Sequence, residues 1–226
     1  MIKYHPSHEL LDTFVTGQLP ASFSAAIAMH TELCEICRNK VAQLESTHAT
    51  STFISSAADE ESDLTADMLF NDWEIDSLIC SITGNDEIIH ATAAVPQAIS
   101  FNHTEYLLPR ALQHIALGKQ LNVGKLTRSR LDLNEGAIHA SLLHIQAGGS
   151  IPNHTHKGTE LTLLLEGSFE DEMGTYNKGD FIVLNNKHTH SPTTQQGCLC
   201  YTVVDSPLTF TDGIAKILNP LGNFIY

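Results

Sequence analysis

Two groups of residues in this 226-residue chain have types and spacings that suit metal ions. The first is His30-x3-Cys34-x2-Cys37. On a helix, positions i, i+4 and i+7 fall near one face, so one short segment can offer three soft or borderline ligands. Zinc takes tetrahedral nitrogen and sulfur ligands, and a closed structural site needs four. His5 is the best-placed fourth ligand and His8 the alternative. The competing readings are a reversible Cys34–Cys37 disulfide, or two buried thiols beside an incidental histidine. The second group is Gly148-x5-His154-x-His156-x3-Glu160-x6-Gly167, followed by Gly179-x10-His190. Residues two apart on an extended strand point to one side. His154 and His156 therefore share a face, Glu160 can reach the same point, and His190 can join from a neighbouring strand. Three imidazoles and a carboxylate suit a borderline divalent ion: zinc, manganese, iron, nickel or copper.

The elements that must position these groups differ between the two halves. Ser7 reads as the N-cap of a short helix that Gly17 ends, Pro20 suits the first turn of a second helix, and Cys34 to Leu44 can form a third. Residues 46–62 contain eight Ser or Thr in seventeen positions without periodicity, which reads as a linker. Leu64, Met68, Leu69, Trp73, Ile75, Leu78, Ile79 and Ile82 then recur near helical spacing, an amphipathic helix with Cys80 as a packing residue and Trp73 as a core or interface anchor. From about residue 123 onward, short β-like runs alternate with turn signals; 140–145, 161–165, 181–184 and 198–204 read as strands. The expected fold class is α+β in two domains. A helical domain at 1–85 contains the linker, a connector spans 86–105, and an all-β domain fills 106–226.

The charge follows the same division. The chain carries 12 Lys and Arg against 26 Asp and Glu, a formal −14. Residues 1–105 hold only three of the cations (Lys3, Arg38, Lys40) and sixteen of the acids. Direct binding to nucleic acid or to an anionic membrane is excluded on this balance, because both need clustered Lys and Arg. The five cysteines are an odd number, and the first residues do not read as a signal peptide. The expected location is the cytoplasm, where a CxxC pair points to metal or redox chemistry. Cys198 and Cys200 alternate on one strand face, either as small core residues or as oxidation targets near the second metal group.

The first group resembles the zinc-binding anti-sigma domain, whose pattern is an upstream His followed by HxxxCxxC. The flanking text HPSHELLDTFVTGQLPASFSAAIAMHTELCEIC is similar to the ChrR branch of that family, with His5 at the upstream ligand position. The second group fits the first cupin motif, G(X)5HXH(X)3-4E(X)6G, at every named position. The second cupin motif fits only at Gly179 and His190, with Asn185, Lys187 and Thr194 replacing its Pro, Gly and Asn; its spacing favours His190 over His188. The resemblance implies a small zinc-bound helical domain that clamps an extracytoplasmic-function sigma factor, completed by a helix after a linker. It also implies a cupin (double-stranded β-helix) domain acting as a sensor, associated in the family with singlet oxygen and oxidative stress. Its metal would be a second divalent ion, zinc foremost. An acidic surface suits the basic DNA-binding face of a sigma factor. On this reading the chain is a transcriptional regulator and not an enzyme, and the free chain could form a homodimer. The rivals are a dioxygenase-like cupin enzyme with an N-terminal oligomerisation module, and a metal-storage or metal-sensing protein.

Overall fold

The structure, a computed structural model, describes residues 1–58, 72–84 and 96–211. Among the described residues, four helices precede a curled antiparallel β-domain: α1 (His8–Val15), α2 (Ala21–Leu33), α3 (Glu35–Ala58) and α4 (Asp72–Thr83). The chain divides into two compact units, residues 1–45 with 96–226, and residues 46–95.

Ser7 caps α1 by accepting the Leu10 N–H at 3.2 Å, and Gly17 follows the helix at φ +70°. The helix that carries His30 does not run on through Cys34. It ends at Leu33; Cys34 is extended (φ −115°, ψ 104°), and α3 begins at the next residue. The break sets Cys34 and Cys37 around the start of α3. The Ser/Thr-rich stretch expected as a linker is helical as far as Ala58. Ser and Thr cost a helix only tenths of a kcal/mol each. Here their hydroxyls bond back one turn, Thr50 Oγ1 to the Ser46 carbonyl at 2.7 Å and Thr52 Oγ1 to that of His48 at 2.9 Å. Within residues 46–95, α4 exposes Ile75, Leu78, Ile79 and Ile82 at i, i+3, i+4 and i+7 spacing. Cys80, expected to pack, is exposed. Leu64, Met68, Leu69 and the side chain of Trp73 lie outside the described residues.

The β-domain opens with a hairpin, β1 (Ala98–Phe101) and β2 (Thr104–Leu107), in what reads from sequence as the end of a connector. Its main sheet has the order β3 (Leu117–Val123), β4 (Leu126–Leu131), β5 (His139–Ile145), β13 (Cys198–Val204), β8 (Glu160–Asp171), β12 (Thr193–Thr194), β6 (Gly149–Ser150), with β9 (Gly174–Asn177) and β10 (Phe181–Leu184) also paired to β8. A second sheet joins β11 (Thr189–His190), β7 (His154–His156) and β14 (Leu208–Phe210). Strand β8 turns at Gly167, φ +79°, where a Cβ would lie 2.1 Å from the Gly197 carbonyl oxygen.

Strand β13, at the centre of the sheet, is buried on both faces, so it reads as a nearly continuous apolar run rather than an alternating one. Leu199, Tyr201 and Val203 pack with Leu142, Leu161 and Leu163, with Leu11, Ile27 and Met29 of the helices, and with Phe101 of the hairpin. Cys198 and Cys200 face the other way, into a cluster with Ile145, Leu164, Phe169, Tyr176 and Ile182. The Tyr201 hydroxyl donates to the buried Ser22 carbonyl at 3.0 Å, joining α2 to the sheet. Buried His144 stacks on Phe101 with ring centres 5.4 Å apart and fastens the hairpin.

Candidate metal centres

The helical cluster is assembled from three places. His5 lies in the extended segment before α1, His30 on the last turn of α2, and Cys34 and Cys37 around the start of α3. Their ligand atoms lie within 4.8 Å of one another. His8, the alternative fourth ligand, is exposed on α1 and outside the cluster. His5 Nδ1 stands 3.4 Å from Cys34 Sγ and 3.5 Å from Cys37 Sγ. A tetrahedron with Zn–S of about 2.3 Å and Zn–N of about 2.0 Å has N···S edges of about 3.5 Å, so the spacing suits zinc.

The environment fits a cation as well. His30 Nδ1 donates to the Gly179 carbonyl at 2.8 Å, which leaves Nε2 as the lone-pair nitrogen. That Nε2 is buried without a hydrogen-bond partner. Burial pushes the His30 pKa down to about 4, so the ring is neutral as a ligand must be. Burial, followed by the neighbouring Cys34, pushes the Cys37 thiol up to about 11. A zinc ion reverses that preference by coordinating the thiolate.

The β-domain holds up this cluster. Asp180, wholly buried, accepts the Lys3 and Tyr4 backbone N–H groups at 2.6 and 3.0 Å, and the Phe181 N–H donates to the Tyr4 carbonyl at 3.0 Å. The segment bearing His5 is thus tied to the β9–β10 turn, which also supplies the carbonyl to His30. Gly179 has φ +92°, and a Cβ there would meet Ile2 Cδ1 at 2.5 Å, so only glycine allows the close approach.

The second cluster is set by strand register. Strand β7 carries His154 and His156, both buried. Pairing with β11 sets His190 directly across from His154, and Glu160 begins β8. The His154 and His190 Nε2 atoms are 3.1 Å apart, and Glu160 Oε2 is 2.8 Å from His156 Nε2 and 3.5 Å from His190 Nε2. His156 Nε2 and Glu160 Oε2, despite their closeness, satisfy no hydrogen bond. Such convergence of lone pairs is what a divalent ion at about 2.0–2.2 Å would resolve. Two imidazoles are already oriented: His154 Nδ1 donates to the Pro152 carbonyl at 2.8 Å, and His190 Nδ1 to Asp171 Oδ2 at 3.0 Å. Burial pushes the His154 pKa down to about 4. Burial alone would raise the Glu160 carboxyl, but the imidazoles of His156 and His190 close beside it outweigh burial and hold it well below the usual range. For His190, the carboxylates of Glu160 and Asp171 outweigh burial and raise its pKa.

Asp171 has no signal of its own in the sequence; it ends β8, eleven residues beyond Glu160. The Tyr176 hydroxyl also bonds to it, and the Tyr176 ring packs on Tyr4 at 4.9 Å. Asp171→Asn should weaken metal binding at this centre about ten- to a hundredfold, read by competition with a chromogenic chelator, while the helical cluster keeps its metal.

The departures from the second cupin motif prove local. The Asn185 side chain accepts the Lys187 N–H at 3.0 Å and shapes the turn that the motif's Pro and Gly would make. His188 Nδ1 accepts from the Asn185 N–H at 3.3 Å, which occupies it in the same turn. Cys198 and Cys200 are buried below the centre, and the Cys200 thiol is pushed well above its ordinary pKa by its hydrogen bond with Cys198 and by burial. Iodoacetamide should therefore label exposed Cys80 in the native protein. It should reach Cys198 and Cys200 about a hundredfold more slowly, until the chain is denatured.

Beside the second cluster lies a cavity of about 420 Å³. His154, His156 and Glu160 border it, and Leu121, Leu126, Leu143, Ile151, Leu208 and Phe210 form most of its wall.

Comparison with known proteins agrees with both halves. Residues 113–207 match the family model described as the ChrR cupin-like domain. The chain is 28% identical over 229 residues to the anti-sigma-E factor ChrR of Cereibacter sphaeroides, covering 97% of each. It is also similar to a chain in the crystal structure of Rhodobacter sphaeroides SigE in complex with the anti-sigma ChrR, at 25% identity and a TM-score of 0.61, covering 91% of this chain and 100% of that one. Residues 113–207 are thus similar to the ChrR cupin-like domain, in a chain that resembles a ChrR-type anti-sigma factor along nearly its whole length.

Proposed function

We propose that this chain is an anti-sigma factor. A zinc-binding helical domain at 1–85 sequesters an extracytoplasmic-function sigma factor in the cytoplasm. After a connector at 86–105, the metal-binding cupin at 106–226 acts as the sensor that triggers release. The observation that carries the reading is the likeness to an anti-sigma factor over 97% of both chains, helices and cupin together. That relative is a regulator, not an enzyme. Zinc held by His5, His30, Cys34 and Cys37 would staple a helical unit with little core of its own. His154, His156, Glu160 and His190 would hold a second divalent ion, zinc foremost, and the signal read there would be oxidative, singlet oxygen included. Among the described residues no helix is long and apolar enough to cross a membrane.

Two features support a sigma-factor partner. The N-terminal 105 residues carry sixteen acids against three cations, a fit to a basic DNA-binding surface. Helix α4 presents Ile75, Leu78, Ile79 and Ile82 to solvent, an apolar stripe of the kind a groove receives. Release needs a state of the chain with lower affinity for the partner. The Tyr4–Tyr176–Asp171–His190 series of contacts offers a path by which a change at the cupin centre loosens the segment bearing His5.

The test is co-expression of the full chain with extracytoplasmic-function sigma factors and capture at low and at moderate salt. A 1:1 complex is expected, weakened only in part by salt because the apolar stripe is not screened. Failure to form a complex at either salt would contradict the reading.

A further inference from the structure

The cavity beside the cupin cluster has the build of a small-molecule site. Its volume, about 420 Å³, falls within the usual range of roughly 300–1,000 Å³ for ligand pockets. Much of the wall is aliphatic and aromatic, formed by Leu121, Leu126, Leu143, Ile151, Leu208 and Phe210, and its charged groups are the cluster residues with Lys125 and Arg128. The charged residues that line it are two cations, Lys125 and Arg128, and one carboxylate, Glu160, which belongs to the cluster itself. Glu160 Oε2 and both ring nitrogens of His156 are buried there without a hydrogen-bond partner. With a divalent ion on the cluster, the polar end of this apolar chamber carries net positive charge. A buried excess of positive charge is costly unless an anion meets it, and an apolar wall rewards burial of a hydrocarbon.

We propose that this cavity binds an aliphatic monocarboxylate, its head group against the His154–His156–Glu160–His190 centre and Arg128, and its chain along the leucine-lined wall. The ligand would then be a second chemical input to the cupin, beside the oxidative one. The proposal rests on reading that cluster as a metal centre, and it does not depend on the identity of any sigma factor.

Calorimetric titration of the zinc-loaded full chain tests it, with decanoate, decanol and decyltrimethylammonium as probes, each kept below its micelle concentration. Decanoate should bind in the micromolar range, at least about tenfold more tightly than decanol, with no heat from the cationic probe. Arg128→Gln should weaken decanoate about tenfold and leave decanol unchanged. Leu143→Trp fills the chamber and should abolish decanoate binding at unchanged zinc content. If Leu143→Trp does not fold, Leu121→Trp, at a position already partly exposed, makes the same test. Decanol binding as tight as decanoate, equal loss of both probes in Arg128→Gln, or undiminished binding in the filled variants would each overturn the proposal. Decanoate affinity unchanged after chelation of the metal would overturn the placement of the head group. None of these outcomes alters the sigma-factor capture, which fails or succeeds separately.

Discussion

Leu78→Asp with Ile82→Asp in α4 should lower the affinity of the full chain for the sigma factor it is proposed to bind by about a hundredfold or more. Both side chains are largely exposed, at 61% and 66%. Burial of a leucine or isoleucine at an interface is worth about 1.5–3 kcal/mol, and every 1.4 kcal/mol is a factor of about ten in affinity. Removing two such anchors and forcing two carboxylates into an apolar groove loses more than either gain alone. Because the changed residues are exposed, the unfolding midpoint and the metal content should not move. Calorimetry with the purified sigma factor gives the affinity, and circular dichroism gives the midpoint. Wild-type affinity in the double variant would remove α4 from the interface.

If the helical cluster holds zinc as proposed, Cys34→Ser with Cys37→Ser should cost it that ion and destabilise the N-terminal segment. A structural zinc site contributes about 10–16 kcal/mol of apparent binding free energy in small zinc domains, comparable to the whole stability of a typical domain, about 5–15 kcal/mol. Here the loss is partly buffered, because Asp180, Gly179 and Phe181 still bind the N-terminal segment and His30 through hydrogen bonds. The expected outcome is a folded cupin with an N-terminal segment open to limited proteolysis between Gly17 and Lys40, and no capture of the sigma factor. Metal analysis should show one ion per chain lost, that of the cupin retained. Unchanged protection from protease, with zinc absent, would show that hydrogen bonds to the β-domain suffice to hold the segment.

The two ligand sets could be read from spacing because each is built from short-range periodicity. His154 and His156 share a strand face, and Cys34 and Cys37 sit one turn apart at a helix start. His5 and His190 required more, since neither is adjacent to its partners; motif spacing chose them, and antiparallel register and a backbone tie brought them in. What supports the ligands was not legible. Asp171, Asp180 and the Gly179 carbonyl act through contacts made across 19, 177 and 149 residues of sequence. No local pattern announces a hydrogen bond of that separation. The helical form of the Ser/Thr-rich stretch as far as Ala58 escapes the sequence for a related reason. Ser and Thr are common in loops, but Thr50, Ser51 and Thr52 bond their hydroxyls to carbonyls of their own helix and so lose little by being helical. The sharing of one core by α1, α2 and the sheet also escapes periodicity, which shows that a face is apolar and not what covers it.

The central claim is that this chain keeps a sigma factor from acting. Run-off transcription tests it most directly: core RNA polymerase, a purified extracytoplasmic-function sigma factor captured by the chain, and a promoter that factor reads. One equivalent of the zinc-loaded full chain should abolish the transcript, and the Leu78→Asp/Ile82→Asp variant should leave it intact. A transcript undiminished by excess wild-type chain would contradict the account.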